Sequence, residues 1–408
     1  MNKMLPPLAP LRRLSKARQV ALMGAVSILP MLPVTFFLPI LPDIARSLAV
    51  SSTEFQLALP LFVLTQVFAM PVVALLSDAG FRLHCLYWSL VVFVTGTLCC
   101  LVSVETCLFF IGRALQGVAS AGLMTVVPAM VNECYEDNEV ARVLSYITAI
   151  GFIVPMAGAE LGTFIASCLS WQYVYAIILV YAVVVSLVCR RMLKKPEPAH
   201  PVDCVRYYKS CLWHWKSMLT DRYTLAFLIC NTGVAIVCQI YVSNSAFLYL
   251  EYFKLRPITY SYLLSVLYLS RMLVSVFNGL LLKRHDYLYI VHHSIPLLIF
   301  LTLLTTVMDL IFHQADTLNQ MLPIMLFALS GFILTNTLAG VLQNNDKWAM
   351  QAVSLMFILF SSMASIVNIF LIVHQDGTPK VLSLFSLLVL VITYLVFLGT
   401  LPAHKRIR

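Results

Sequence analysis

Apolar runs of about twenty residues alternate with short polar breaks along the whole chain, and each run is long enough to cross a bilayer as a helix. Such runs fall at about 20–42, 55–77, 85–104, 107–131, 142–166 and 172–189. A polar, basic stretch at about 190–222 follows, and then six more runs at about 223–247, 258–282, 288–312, 321–343, 349–373 and 380–402. The pattern predicts an all-α membrane protein with twelve transmembrane helices in two six-helix bundles. Its predicted parts are a cytoplasmic N-terminal segment (1–19), a first bundle (20–189), a cytoplasmic central loop (190–222), a second bundle (223–402) and a cytoplasmic tail (403–408). The first run follows Arg12, Arg13, Lys16 and Arg18 like a signal peptide, but it is too long for one and is read as a retained helix.

Composition agrees with this pattern: 61% of the 408 residues are apolar and 11% are charged, too few charges to cover a soluble protein of this size. Secreted, disordered and nucleic-acid-binding classes are excluded. The formal net charge of +9 is explained by where the charges lie. With the N-terminus in the cytoplasm, inner segments hold 21 of the 27 Lys and Arg, and the outer loops hold Arg46, Lys254, Arg256 and Lys380. That asymmetry follows the positive-inside rule and places both termini in the cytoplasm. The eleven cysteines have no CxxC spacing, so neither a disulfide framework nor a zinc site is expected. The central stretch Asp203–Lys216 is basic and aromatic. It reads either as an amphipathic helix on the inner leaflet or as a solvated linker.

Ionisable residues inside spans are costly and mark function by default. Arg113, Glu160 and Arg271 sit well inside, whereas Asp43, Asp78 and Asp309 lie near ends where headgroups or water are in reach. Arg113 and Glu160 fall at similar depths on consecutive helices, so they can pair. A guanidinium would hold the carboxylate ionised, and separation of the two would let it take a proton. A static ion pair that fixes packing is the competing reading. Gly158 and Gly162 allow close approach of a second backbone, and Pro155 invites a kink. Asp78 and Arg82 form a latch at the inner face or simply a turn. Arg271 has no acidic partner in the sequence and either meets an anionic substrate group or bonds backbone carbonyls. Polar and aromatic candidates for a substrate cavity are Phe36, Gln66, Gln116, Gln239, Tyr241, Asn244, Asn336 and Gln351, with Tyr262 beside them. No P-loop or HExxH occurs, and His292, His293, Cys99 and Cys100 lack metal-site spacing, so the chain is not read as an enzyme and needs no cofactor or metal.

Six spans, a loop and six spans, with these motifs, resemble the major facilitator superfamily. The likeness is greatest to its twelve-span drug:proton antiporter branch, of the bicyclomycin and chloramphenicol resistance type. Leu38–Leu48 (LPILPDIARSL) is similar to the end of that branch's first helix, and Arg113–Gly117 (RALQG) to its fourth-helix motif. Pro155–Gly162 (PMAGAELG), followed by Trp171, resembles the fifth-helix antiporter motif. Leu76–Asp78 with Arg82 resembles the loop motif between helices 2 and 3. Tyr241–Phe247 (YVSNSAF) and Gly331–Asn336 (GFILTN) are similar to its helices 7 and 10. The loop motif departs from the family: after Asp78 an Arg is missing and the glycine is displaced. Ala159 stands where a second glycine is usual.

The resemblance implies a proton-coupled exporter of small, drug-like organic molecules in a bacterial inner membrane, working by alternating access as a monomer. A proton gradient would be its energy source, and Arg113 the coupling arginine. A dedicated exporter of one metabolite such as a siderophore, and an importer on the same fold, stand as alternatives, with a non-transporting membrane sensor behind them. The expected partners are a small-molecule substrate, protons and the lipid bilayer, with no nucleic acid.

Overall fold

The structure is a computed structural model that describes residues 15–77, 81–135, 143, 147, 154, 157–193, 204–282, 284–311, 317–345, 349–374 and 379–400. Among these residues every regular element is helical. Among the described residues eleven helical stretches, Lys16–Thr35 counted as one, are long and apolar enough to cross a membrane. The expected fifth span begins outside the described residues, and its later part, 157–168, is helical.

The chain divides into two compact units, Met1–Tyr208 and Lys209–Arg408. The first contains α1 (Lys16–Ile28), α2 (Leu32–Thr35), α3 (Phe37–Ser47), α4 (Ser52–Phe55) and α5 (Ala58–Leu76). It continues with α6 (Arg82–Leu101), α7 (Thr106–Cys134), α8 (157–168) and α9 (Trp171–Met192). Next, α10 (Cys204–Thr220) crosses the division between the units. The second unit holds α11 (Arg222–Ala246), which runs into a π-helical turn at Phe247–Tyr252. It is completed by α12 (Pro257–Leu281), α13 (Tyr287–Ile311), α14 (Thr317–Asn344), α15 (Ala349–His374) and α16 (Lys380–Thr400).

The first apolar run is not one helix. Pro30 and Pro33 lack the N–H that a helix needs, and the chain breaks into α1, α2 and α3 across residues 29–36, whereas Pro39 and Pro42 lie inside the continuous α3. The segment between the bundles, expected as a loop, carries α10. His214 and Met218 on it are buried while Leu212 and Trp213 face outward, and Gln351 on α15 contacts the Cys211 sulfur at 4.0 Å.

Each unit has one central helix. In the first, α5 and α6 both pack along α7. In the second, α11 packs against α14, α15 and α16, and its span is 78% buried against 17% for the peripheral α12. Outward faces are strongly apolar: Phe68 is 75% exposed and Trp88 68%. Such faces are stable only against hydrocarbon. The α6–α7 crossing depends on two glycines facing each other. A Cβ on Gly112 would meet the Gly96 carbonyl oxygen at 2.7 Å, and one on Gly96 the Gly112 oxygen at 2.8 Å.

Gly112→Ala must therefore push α6 and α7 apart, at a cost of about 1–3 kcal/mol. Gly279→Ala, where nothing lies within 4 Å of the added carbon, gains helix propensity of about 0.5–1 kcal/mol instead. Thermal unfolding of the two variants in detergent should move in opposite directions.

Candidate functional site

Arg113 lies near the start of α7 and is completely buried, as are Gln116 and Ser120 on the same helical face. Its Nη1 donates to the Pro33 carbonyl at 2.9 Å and to Gln116 Oε1 at 3.1 Å. Gln116 Nε2 in turn donates to Thr97 Oγ1 on α6 at 3.0 Å. One side chain therefore ties α7 to the proline break in the first span, and its neighbour ties α7 to α6. A hydrogen bond from a charged donor contributes about 1.5–3 kcal/mol.

Aromatic rings surround the charge. The guanidinium carbon sits 4.7 Å from the Phe37 ring centroid and 4.8 Å from that of Phe62, contacts that contribute about 0.5–2 kcal/mol each. Phe37, Phe55 and Phe109 pack together behind it, and Tyr175 and Trp171 on α9 close the cluster. Nε and Nη2 of Arg113 and Trp171 Nε1 are buried without a well-aligned hydrogen-bond partner among the described residues, and the Tyr175 hydroxyl lies beside the Arg113 guanidinium. The cation is thus held by one carbonyl, one amide and ring faces, and no anion reaches it among the described residues.

The expected Arg113–Glu160 pair is not formed. Glu160 on α8 is half-buried and has no ion-pair or hydrogen-bond partner among the described residues. The broken first span offers Arg113 a carbonyl, and the arginine takes it. Gly158 and Gly162 do mark a close approach. Added Cβ atoms there would meet Thr35 Oγ1 at 2.9 Å and Phe36 Cδ1 at 2.8 Å. Phe36, expected at a cavity, is buried as the residue that these glycines admit. Arg113 and the two glycines therefore converge on the same short break, residues 33–36.

At the other end of α5, Arg82 is buried: its Nε donates to Ser77 Oγ at 3.0 Å and Nη1 to the Ala129 carbonyl at 3.5 Å. It ties the turn between α5 and α6 to α7 and is not an exposed loop charge. Asp78 and Pro155 lie outside the described residues. Gln66 is buried with Nε2 against the Met124 sulfur at 2.8 Å.

In the second unit, several expected cavity residues are cross-helix clasps. Asn336 on α14 exchanges amide hydrogen bonds with Asn278 on α12, at 2.7 and 3.3 Å. Asn244 on α11 donates to Asn368 Oδ1 on α15 at 3.1 Å. Both are almost fully buried, and an amide buried in a bundle finds another amide because the alternative is an unpaired polar group. Gln239 is half-buried and reaches Ser243 Oγ at 3.4 Å. Gln351 reaches α10, and its Oε1 is buried without a partner. Arg271 is half-buried, with its guanidinium 4.9 Å from the Phe327 centroid and no acidic partner among the described residues. Tyr262 is 55% exposed and faces outward.

Tyr241 does line a cavity, a small one inside the second unit, with Thr305, Asp309 and Ser383. Asp309 was expected within reach of headgroups or water, but it is only 5% exposed. Thr302, Thr305, Thr306 and Asp309 are all buried along one face of α13. Their spacing of three, four and seven was the signal for a polar face turned inward.

A family model described as Major Facilitator Superfamily matches residues 23–367. The chain belongs to that superfamily. It is accordingly a multi-pass membrane protein of a transporter family and not an enzyme. Among curated proteins, it is 25% identical over 236 residues to a multidrug resistance protein MdtL of Klebsiella pneumoniae (strain 342), covering 58% of this chain and 59% of that protein. It is 27% identical over 213 residues to the MdtL of Salmonella schwarzengrund (strain CVM19633), covering 52% and 53%. The chain thus spans a little over half the length of these relatives. Two solved structures share the fold. A POT family transporter in complex with 5-aminolevulinic acid has a TM-score of 0.73 at 13% identity, covering 94% of this chain and 97% of that one. An auto-inhibited POT family peptide transporter has 0.71 at 15%, covering 96% and 97%.

If Asn336 is a clasp, Asn278→Leu alone strands its amide and costs about 1–3 kcal/mol. The double variant Asn278→Leu, Asn336→Leu should recover most of that loss in a double-mutant cycle.

Proposed function

We propose that the protein exports small organic molecules across a bacterial inner membrane in exchange for protons. The termini would lie in the cytoplasm, the chain would act as a monomer, and the two bundles would alternate access to a midplane site. The proton gradient is the energy source. Drug-like compounds are the proposed cargo, a reading supported by the multidrug resistance names of the matched relatives.

One observation carries the coupling: a fully buried guanidinium, with no counter-anion among the described residues, holds the proline break of the first span. A buried cation with donors to spare responds strongly to any nearby change of charge, because the low-dielectric interior screens it weakly. Glu160, half-buried and without an ion-pair partner among the described residues, on the helix whose glycines contact the same break, is the proposed proton carrier. Its ionised form would draw Arg113 away from Pro33 and free the break, and its protonated form would leave the clamp closed. The break, rather than the whole bundle, is then the element that protonation biases.

Inside-out vesicles energised to an acidic lumen, with a pH-sensitive dye, test this reading. Cationic drugs, neutral drugs and siderophore-type chelators would be added in turn. Native protein should give substrate-dependent alkalinisation, and Glu160→Gln and Arg113→Ala should each reduce it at least about tenfold, the scale of a lost coupling interaction. Full coupling in Glu160→Gln would remove Glu160 from the mechanism.

A further inference from the structure

We infer that Asp309, with the Tyr241 and Ser383 hydroxyls beside it, is a proton-binding site of the second unit. This inference deepens the proton-exchange reading above and rests on it. The site lies on different helices from Arg113 and Glu160.

Asp309 occupies the last turn of α13 and is 5% exposed. An anion there faces the negative end of its own helix, and a lone carboxylate inside a span is costly unless a proton or a cation neutralises it. Among the described residues no ion pair reaches it. Ser383, in the first turn of α16, faces the carboxylate, and its hydroxyl also reaches the Pro379 and Lys380 carbonyls at 3.2 Å. Tyr241 on α11 lies close by, with its hydroxyl buried beside Ser386 of α16. The three threonines of the polar face do not compete: each hydroxyl donates back to its own helix, Thr302 to Leu298, Thr305 to Leu301 and Thr306 to Thr302, at 2.8–2.9 Å.

The other titratable groups on the surrounding elements do not neutralise the carboxylate. Lys380 opens α16 without forming an ion pair with it. The π turn carries Tyr249, Glu251 and Tyr252, and α14 carries no titratable residue. His292 and His293 lie at the far end of α13, about 24 Å along the helix at 1.5 Å per residue.

The cavity has room beside the carboxylate but few oxygens. Its remaining wall is Leu248, Phe253, Pro323, Pro379 and Leu382. A bound metal cation such as Ca²⁺ needs about six to eight oxygen ligands, whereas a proton needs one. A second cavity shares Leu248, Pro379 and Leu382 with the first and extends to Asn244, which gives the site a polar neighbour on α11. On protonation an O–H bond forms at one carboxylate oxygen and the charge falls from −1 to zero. Release returns the proton, and Tyr241 and Ser383 then donate to the anion.

Infrared pH titration of the full chain in liposomes reads this step without a substrate. Native protein should show a protonated-carboxyl C=O band that disappears as pH rises from mildly acid to mildly alkaline. Asp309→Asn should lose that band completely, and Asp309→Glu should restore a titrating band at a shifted frequency, which keeps the test valid if the Asn variant folds poorly. An unchanged band in Asp309→Asn, or a carboxyl ionised throughout as a plain partner for the start of α16, overturns the assignment. Dye-reported proton flux of the native protein is measured separately. If the band titrates and flux is absent, the export reading fails and the site stands; if flux is present without the band, the site fails.

Discussion

A buried cation that no anion reaches among the described residues is the constraint around which the first unit is arranged. Arg113 cannot deprotonate to escape its surroundings, so the fold must supply neutral partners. It does so with the Pro33 carbonyl, the Gln116 amide and the faces of Phe37 and Phe62. The carbonyl lies in the break that Pro30 and Pro33 mark in the first span. The break is kept narrow because Gly158 and Gly162 let α8 approach Thr35 and Phe36. The arginine, the prolines and the glycines are thus three parts of one arrangement.

The second unit solves the same problem with neutral groups. Amide clasps at Asn278–Asn336 and Asn244–Asn368 join helices across its interior, and Asn231 on α11 donates to Thr337 on α14 at 2.8 Å. At the start of α11, Asp221 caps the Thr224 N–H, and Asn344 bonds both residues. These paired amides fix helix contacts without placing a charge in lipid. Asp309 is a buried carboxylate beside a cavity, and so a place in this unit where a change of charge has a large effect.

Much of this was legible in the sequence. Run lengths and the basic-residue asymmetry identify the membrane class, and the RALQG motif with the Gly158–Gly162 pair marks two of the three parts of the first unit's clamp. Partners were harder to read. A span with Asn336 or Asn244 announces a buried polar group, but sequence does not say whether it meets a ligand or another amide. Neighbouring helices at similar depth made an Arg113–Glu160 pair plausible, yet a proline break 80 residues away in the chain supplied a nearer acceptor. Asp309 was misjudged because its distance from the helix end was weighed above its spacing with Thr302, Thr305 and Thr306. Direction around the helix mattered more than distance along it.

The most direct test of the clamp is backbone hydrogen exchange across residues 29–37 in the full-length protein held in lipid, comparing native chain with Arg113→Gln. The account predicts faster exchange in the variant at Val34–Phe37, with α5 and α6 unchanged, because the glutamine cannot span the same carbonyl, amide and ring faces. Equal exchange at the break in both proteins would mean that the prolines and glycines hold it unaided, and the arginine's central role would be contradicted.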